Sequence, residues 1–138
     1  MRGVVSPLGK FEIYFYEEEN GQSSVFDFFE KLRDKAASNK QARTLLDNFY
    51  RRLDSLRING ATEGLPHFDT IKNSKYPLKE IRMKHTVGYY RILFCPWNGN
   101  SYVLLHLILK KTDKTPPRDI KRAERLMDDW LKRNGGKV

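Results

Sequence analysis

The 138-residue chain has a single cysteine, Cys95. An internal disulfide and a cysteine-rich zinc site are thereby excluded, and a reducing compartment is the natural setting. Long apolar runs are lacking as well. The longest, residues 102–109, is interrupted by His106 and is far too short to span a bilayer. Residues 1–10 contain no apolar stretch of the kind a secretory signal needs, so a soluble, cytoplasmic protein without a membrane partner is expected. No metal-ligand spacing, glycine-rich phosphate loop or nucleophile elbow occurs, so neither a metal nor a cofactor is expected. Repeats and heptads are missing too. The length fits one domain over 1–138, enough to bury about two thirds of the unfolded surface.

What is abundant is positive charge, and it is unevenly placed. Residues 1–69 hold 10 Lys and Arg against 11 Asp and Glu, whereas residues 70–138 hold 16 against 6. All of the net charge of +9 therefore lies in the second half. Such a field attracts polyanions, nucleic acid above all, or an acidic protein.

Along the chain, residues 11–16 read as a first strand, followed by the acidic run Glu17 to Glu19. Ser24 and Asp27 form a capping pattern for a helix whose apolar positions are Val25, Phe28, Phe29, Leu32 and Ala36. A second helix is expected over 40–58, stopped by Asn59-Gly60, and the two would form a hairpin. Residues 61–77, with Gly64, Pro66 and Pro77, read as a long loop carrying Lys72 and Lys75. Strands are expected over 78–84, 89–95 and 102–109. Thr115 followed by Pro116 opens a last helix, basic in its first half through Arg118, Lys121, Arg122 and Arg125 and apolar at Ile120, Ala123, Met127 and Trp130. Residues 134–138 form a short tail. The fold class is α+β, in the order β-α-α-β-β-β-α, with the helical hairpin on the apolar face of an antiparallel sheet and a C-terminal helix.

Register follows from the turns. A two-residue type I′ turn at Asn98-Gly99 pairs Trp97 with Asn100 and Arg91 with His106, and a four-residue loop pairs Lys84 with Tyr89 and Arg82 with Arg91. Period-two alternation then puts Ile81, Met83, Tyr90, Ile92, Phe94, Val103, Leu105, Leu107 and Leu109 on the core face. The other face carries Glu80, Arg82, Lys84, Tyr89, Arg91, Tyr102, Leu104, His106, Ile108 and Lys110, with Arg82, Arg91 and His106 in one row. Like charges opposed across a sheet are destabilising, and an external anion is the simplest compensation.

Guanidinium groups bind phosphate bidentately, lysines add positive charge, and tyrosine rings can stack on bases. A histidine beside two arginines favours its neutral form and can accept a proton. The set therefore suits metal-free RNA cleavage, in which a base activates a ribose 2′-OH for attack on the adjacent phosphate and arginine stabilises the phosphorane. Blander alternatives stand beside it. His106, flanked by leucines, can be a satisfied structural histidine, and Arg82 and Arg91 can pair with Glu80 or with the run Glu17 to Glu19.

Residues Leu78-Lys79-Glu80-Ile81-Arg82, Gly88-Tyr89-Tyr90-Arg91-Ile92, and Leu104-Leu105-His106 leading to Lys110-Lys111-Thr112 and Thr115-Pro116, taken in this order and spacing, resemble the RelE-like superfamily of bacterial toxins, in its phage Gp49-like, HigB-type branch. The resemblance spans most of residues 11–130. It implies a RelE-like fold and the toxin of a type II toxin-antitoxin pair, cleaving mRNA on the ribosome and neutralised by a helix-turn-helix antitoxin. It also implies Arg82 and Arg91 as phosphate-binding and transition-state residues, His106 as acid or base, and Lys110 as charge stabiliser. Lys72, Lys75, Lys84, Tyr89 and Lys111 are the further RNA-binding candidates. A non-catalytic RNA- or ribosome-binding module of phage origin is the competing reading.

Overall fold

A computed structural model gives the fold and describes residues 2–4, 10–86, 88–110 and 114–138, with residues 2–4 and Lys110 described by their backbone. The elements are β1 (Arg2–Val4), β2 (Glu12–Phe15), α1 (Ser24–Ala36), α2 (Lys40–Asn59), β3 (Phe68–Thr70), β4 (Lys79–His85), β5 (Gly88–Trp97), β6 (Ser101–Lys110) and α3 (Pro117–Asn134). They form one six-stranded sheet in the order β1-β2-β6-β5-β4-β3. All neighbours are antiparallel except β2 and β6, which run parallel. The expected RelE-like order is present. Two short edge strands are added to it, β1 and β3, the second inside the stretch expected to be loop.

The helices start where side chains can take up free N–H groups. Ser23, one residue earlier than the expected Ser24, caps α1 by accepting from Phe26 N at 3.2 Å, and Asn39 caps α2 by accepting from Ala42 N at 3.0 Å. The α1–α2 hairpin packs Val25, Phe29, Leu32, Leu45, Phe49, Leu53 and Leu56 on one sheet face, against Ile13, Phe15, Ile81, Met83, Ile92, Phe94, Tyr102 and Leu104. On the opposite face α3 packs Ala123, Leu126, Met127 and Trp130 against Leu93, Cys95, Trp97, Val103 and Leu105. The sheet is thus buried on both sides.

Four residues, Val103, Leu105, Tyr102 and Leu104, lie on the faces opposite to those expected, and the cause is register. Asn98 and Gly99 do take positive φ, 55° and 75°. The connection holds Asn100 too, so Trp97 pairs with Ser101 rather than with Asn100. One residue of slip inverts every side chain of a strand. A second irregularity between Leu93 and Phe94, which face His106 and Leu104, leaves Leu105 as the extra residue of a β-bulge. The two offsets add to two residues, so alternation returns to the expected sense from His106 onward. Arg91 consequently faces Ile108, and His106 faces Leu93. On the other side the β4–β5 register is as expected, with Arg82 opposite Arg91 and Lys84 opposite Tyr89. Leu109, expected in the core, is exposed.

The tail is tied down. Trp97 Nε1 donates to Gly135 O at 2.9 Å, and Asn98 N donates to Lys137 O at 2.7 Å. Burial pushes the Cys95 thiol up to about 12, leaving almost no thiolate at neutral pH. We therefore expect a thiol reagent to spare Cys95 in the native protein and to modify it once urea unfolds the chain, as mass spectrometry will report.

Candidate functional site

Three rows cross the β4–β5–β6 sheet on the α3 side: Glu80–Leu93–His106, Arg82–Arg91–Ile108 and Lys84–Tyr89–Lys110. Arg82, Arg91 and His106 share this face, but His106 stands one row away from the arginines and two strands from Arg82, about 10 Å by strand spacing. The start of α3 closes over the middle of the face. It was expected to begin with Thr115 as cap, whereas the cap position is Pro116 and the helix starts at Pro117. The Thr115 hydroxyl is thereby released for other bonds.

Those bonds organise the buried centre. Arg91 is 0 % exposed and Glu80 1 %. Arg91 Nη1 donates to Thr115 Oγ1 at 3.3 Å, Thr115 Oγ1 donates to Glu80 Oε2 at 2.6 Å, and Arg91 Nη1 stands 4.0 Å from Glu80 Oε1. Burial pushes the Glu80 carboxyl above its ordinary range, against the opposing pull of the Thr115 bond and of Arg91. Arg91, expected to contact phosphate, has no exposed surface in this conformation.

His106 is likewise engaged. Its Nε2 lies 2.9 Å from Asp119 Oδ1 in the first turn of α3, and Asp119 is 9 % exposed. The bond joins the sheet to the helix and leaves Nδ1 as the remaining polar atom of the ring. The ring borders a cavity of about 140 Å³ shared with Ser24, Gln22, Glu18 and Arg122. Partly buried hydrogen bonds to a charged group contribute about 1.5–3 kcal/mol. Asp119→Ala, which removes the acceptor, should therefore lower stability by about that amount in urea titration, and equal midpoints for variant and parent would show that the bond supports nothing.

Beyond the reach of α3 the same face is accessible. Arg82 and Tyr89 are half-buried and Lys84 is exposed. The Arg82 guanidinium lies over the Tyr89 ring, 4.7 Å from its centroid, which orients the group while its charge stays near solvent. From the hairpin side, the buried Arg52 donates Nε to Arg82 O at 3.3 Å, and burial lowers the pKa of its own guanidinium. Lys72 is exposed on the rim of a cleft of about 540 Å³ that also touches Asp69, Glu80, Lys114 and Thr115. Lys75 is drawn away, its Nζ 2.8 Å from Asp128 Oδ1 on α3. Lys110 pairs with Tyr89 through the backbone. Its side chain, and Lys111 altogether, lie outside the described residues. The acidic run contributes through Glu18, which pairs with Arg122 at 3.3 Å rather than with either strand arginine. Among the described residues no group of three or more His, Cys, Asp or Glu is placed to hold a metal ion, and no helix is long and apolar enough to cross a membrane.

The α+β architecture and the order of its elements broadly match the RelE-like fold. The model of the family described as Phage derived protein Gp49-like (DUF891) matches residues 27–128, a span containing most of α1, all of α2 and of β3 to β6, and about the first two thirds of α3. The chain belongs to this family, in the RelE/HigB-like toxin branch. No curated protein gives a match.

Proposed function

We propose that this protein is the toxin of a type II toxin-antitoxin pair, a metal-independent endoribonuclease that cleaves mRNA, with the ribosome as the setting and a helix-turn-helix protein as its antitoxin. The observation that carries the reading is the accessible end of the β4–β5 face, where Arg82, Lys84 and Tyr89 stand together beyond α3. Family membership supports it.

In this reading Arg82 is the catalytic residue that holds the scissile phosphate, and Tyr89 offers a stacking surface to the neighbouring base. Attack by the 2′-oxygen forms a new P–O bond as the 2′-OH proton passes to a base. The P–O5′ bond breaks and the leaving oxygen takes up a proton, giving a 2′,3′-cyclic phosphate and a free 5′-OH. Negative charge grows on the phosphorane oxygens, and the arginine stabilises it. His106 keeps the acid or base role implied by the resemblance, and Nδ1 is the atom that serves it because Nε2 is held by Asp119. Lys110 is the second charge stabiliser. Arg91, with Glu80 and Thr115, is a positioning residue that keeps β4, β5 and the start of α3 in fixed relation.

The burial of Arg91 gives some weight to the competing reading, a basic RNA- or ribosome-binding module without chemistry. Primer extension on mRNA translated with the purified protein separates them. Discrete new 5′ ends are expected; their absence at saturating protein would leave the binding module.

A further inference from the structure

Helix α3 sorts its charges by side. All four of its carboxylates bond back to the fold. Asp119 holds His106, and Glu124 accepts from Ser74 Oγ at 2.8 Å and Lys75 N at 2.7 Å. Asp128 pairs with Lys75, and Asp129 accepts from Tyr16 Oη at 2.6 Å and pairs with Arg133. On the solvent side Arg118, Lys121 and Arg125 are exposed, and none has an ion-pair partner among the described residues.

This arrangement works against the helix. Arg118 with Lys121, and Lys121 with Arg125, are like-charge pairs at three- and four-residue spacing, which destabilise helices. Arg118 also sits in the first turn, where free N–H groups make positive charge unfavourable. Among the described residues none of the three forms an ion pair that would offset this repulsion, and an external polyanion would offset it. The exposed positions of α3 offer no large apolar side chain, the anchor on which protein partners depend. Phosphates need only the charge.

We propose that α3 is a second RNA-contacting element, in which Arg118, Lys121 and Arg125, with exposed Lys114 leading into them, hold the phosphodiester backbone of the strand whose other part lies at Arg82 and Tyr89. Contact is independent of base sequence. Arg118 and Arg125 are about 10 Å apart along the helix axis, room for a short run of backbone. Thr115, three residues before Arg118, bonds to Arg91 and Glu80 of the reacting face, so the start of the helix lies beside that face. This rests on the reading that the protein handles RNA, but not on cleavage.

The test is fluorescence anisotropy with a labelled 2′-O-methyl RNA, which lacks the attacking hydroxyl, over about 50–200 mM salt. For Arg118→Gln/Lys121→Gln/Arg125→Gln, the slope of log affinity against log salt should become shallower by about 2, from three lost contacts to a single strand. Its melting temperature should equal or exceed the parent's, whereas a merely structural stripe would lower it. Should the triple variant fold poorly, Lys121→Gln/Arg125→Gln serves, with a slope change of about 1.4. An unchanged slope overturns the proposal. So does competition by polyglutamate as strong as that by RNA, which would indicate an acidic protein partner. A changed slope without new 5′ ends in primer extension keeps this surface and removes the nuclease; new 5′ ends with an unchanged slope do the reverse.

Discussion

Arg91→Ala should lower stability by about 3–5 kcal/mol at neutral pH, because it removes the cation standing 4.0 Å from the buried Glu80 carboxyl. At this chain length that is a fall of roughly 10–15 °C in melting temperature. The loss has a pH signature. Burial already holds the folded-state carboxyl of Glu80 above its unfolded value, so its contribution is fullest at acid pH and is lost as pH rises through the raised range. Without Arg91 one of the forces lowering that carboxyl is gone, and the range moves up further. The variant's deficit should therefore be small near about pH 4 and reach its full size toward neutrality. Adding Glu80→Gln to Arg91→Ala should restore part of the loss and flatten its pH dependence. Urea titrations across this range supply the measurement, and an Arg91→Ala protein as stable as its parent at neutral pH would rule out the buried pair as a support of the fold.

Arg82→Ala should behave in the opposite way. Its guanidinium lies over the Tyr89 ring, a contact of a kind that contributes about 0.5–1 kcal/mol, and the side chain is half-buried where Arg91 is fully buried, so the variant should lose less stability than Arg91→Ala does. Cleavage should fall on the order of 10² to 10³, the usual consequence of removing one well-aimed donor to a transition-state oxyanion. Growth arrest on expression should be relieved to match. Arg82 and Arg91 face each other directly in the ladder, yet one substitution is expected to disable the chemistry and the other the fold. A folded Arg82→Ala protein that produced the same new 5′ ends at the parental rate would remove Arg82 from the reaction.

The helices, the three long strands and the β4–β5 register follow from periodicity and turn residues, which act locally. The double burial of the sheet was also written in the chain, in the unbroken apolar runs Ile92 to Cys95 and Tyr102 to Leu105, which suit strands covered on both faces better than alternating ones. Giving α3 that second face would have shown the middle of the cationic row to be roofed. What no local rule supplies is the bulge at Leu105, set by how α3 and the hairpin compete for the two faces, and the liberation of the Thr115 hydroxyl by Pro116 and Pro117. Asp119 was similarly opaque, since an acid in a first turn is ordinarily explained by the helix dipole alone.

Asn100 in the connection and Leu105 in the bulge both stand outside the β5–β6 pairs. Deleting either one leaves Trp97 opposite Ser101, Phe94 opposite Leu104 and Leu93 opposite His106, so His106 and Ile108 keep the side of Arg82. Descendants of this hairpin can therefore lose a residue at either place without turning the histidine over, and an alignment gap between Trp97 and His106 belongs at one of these two positions.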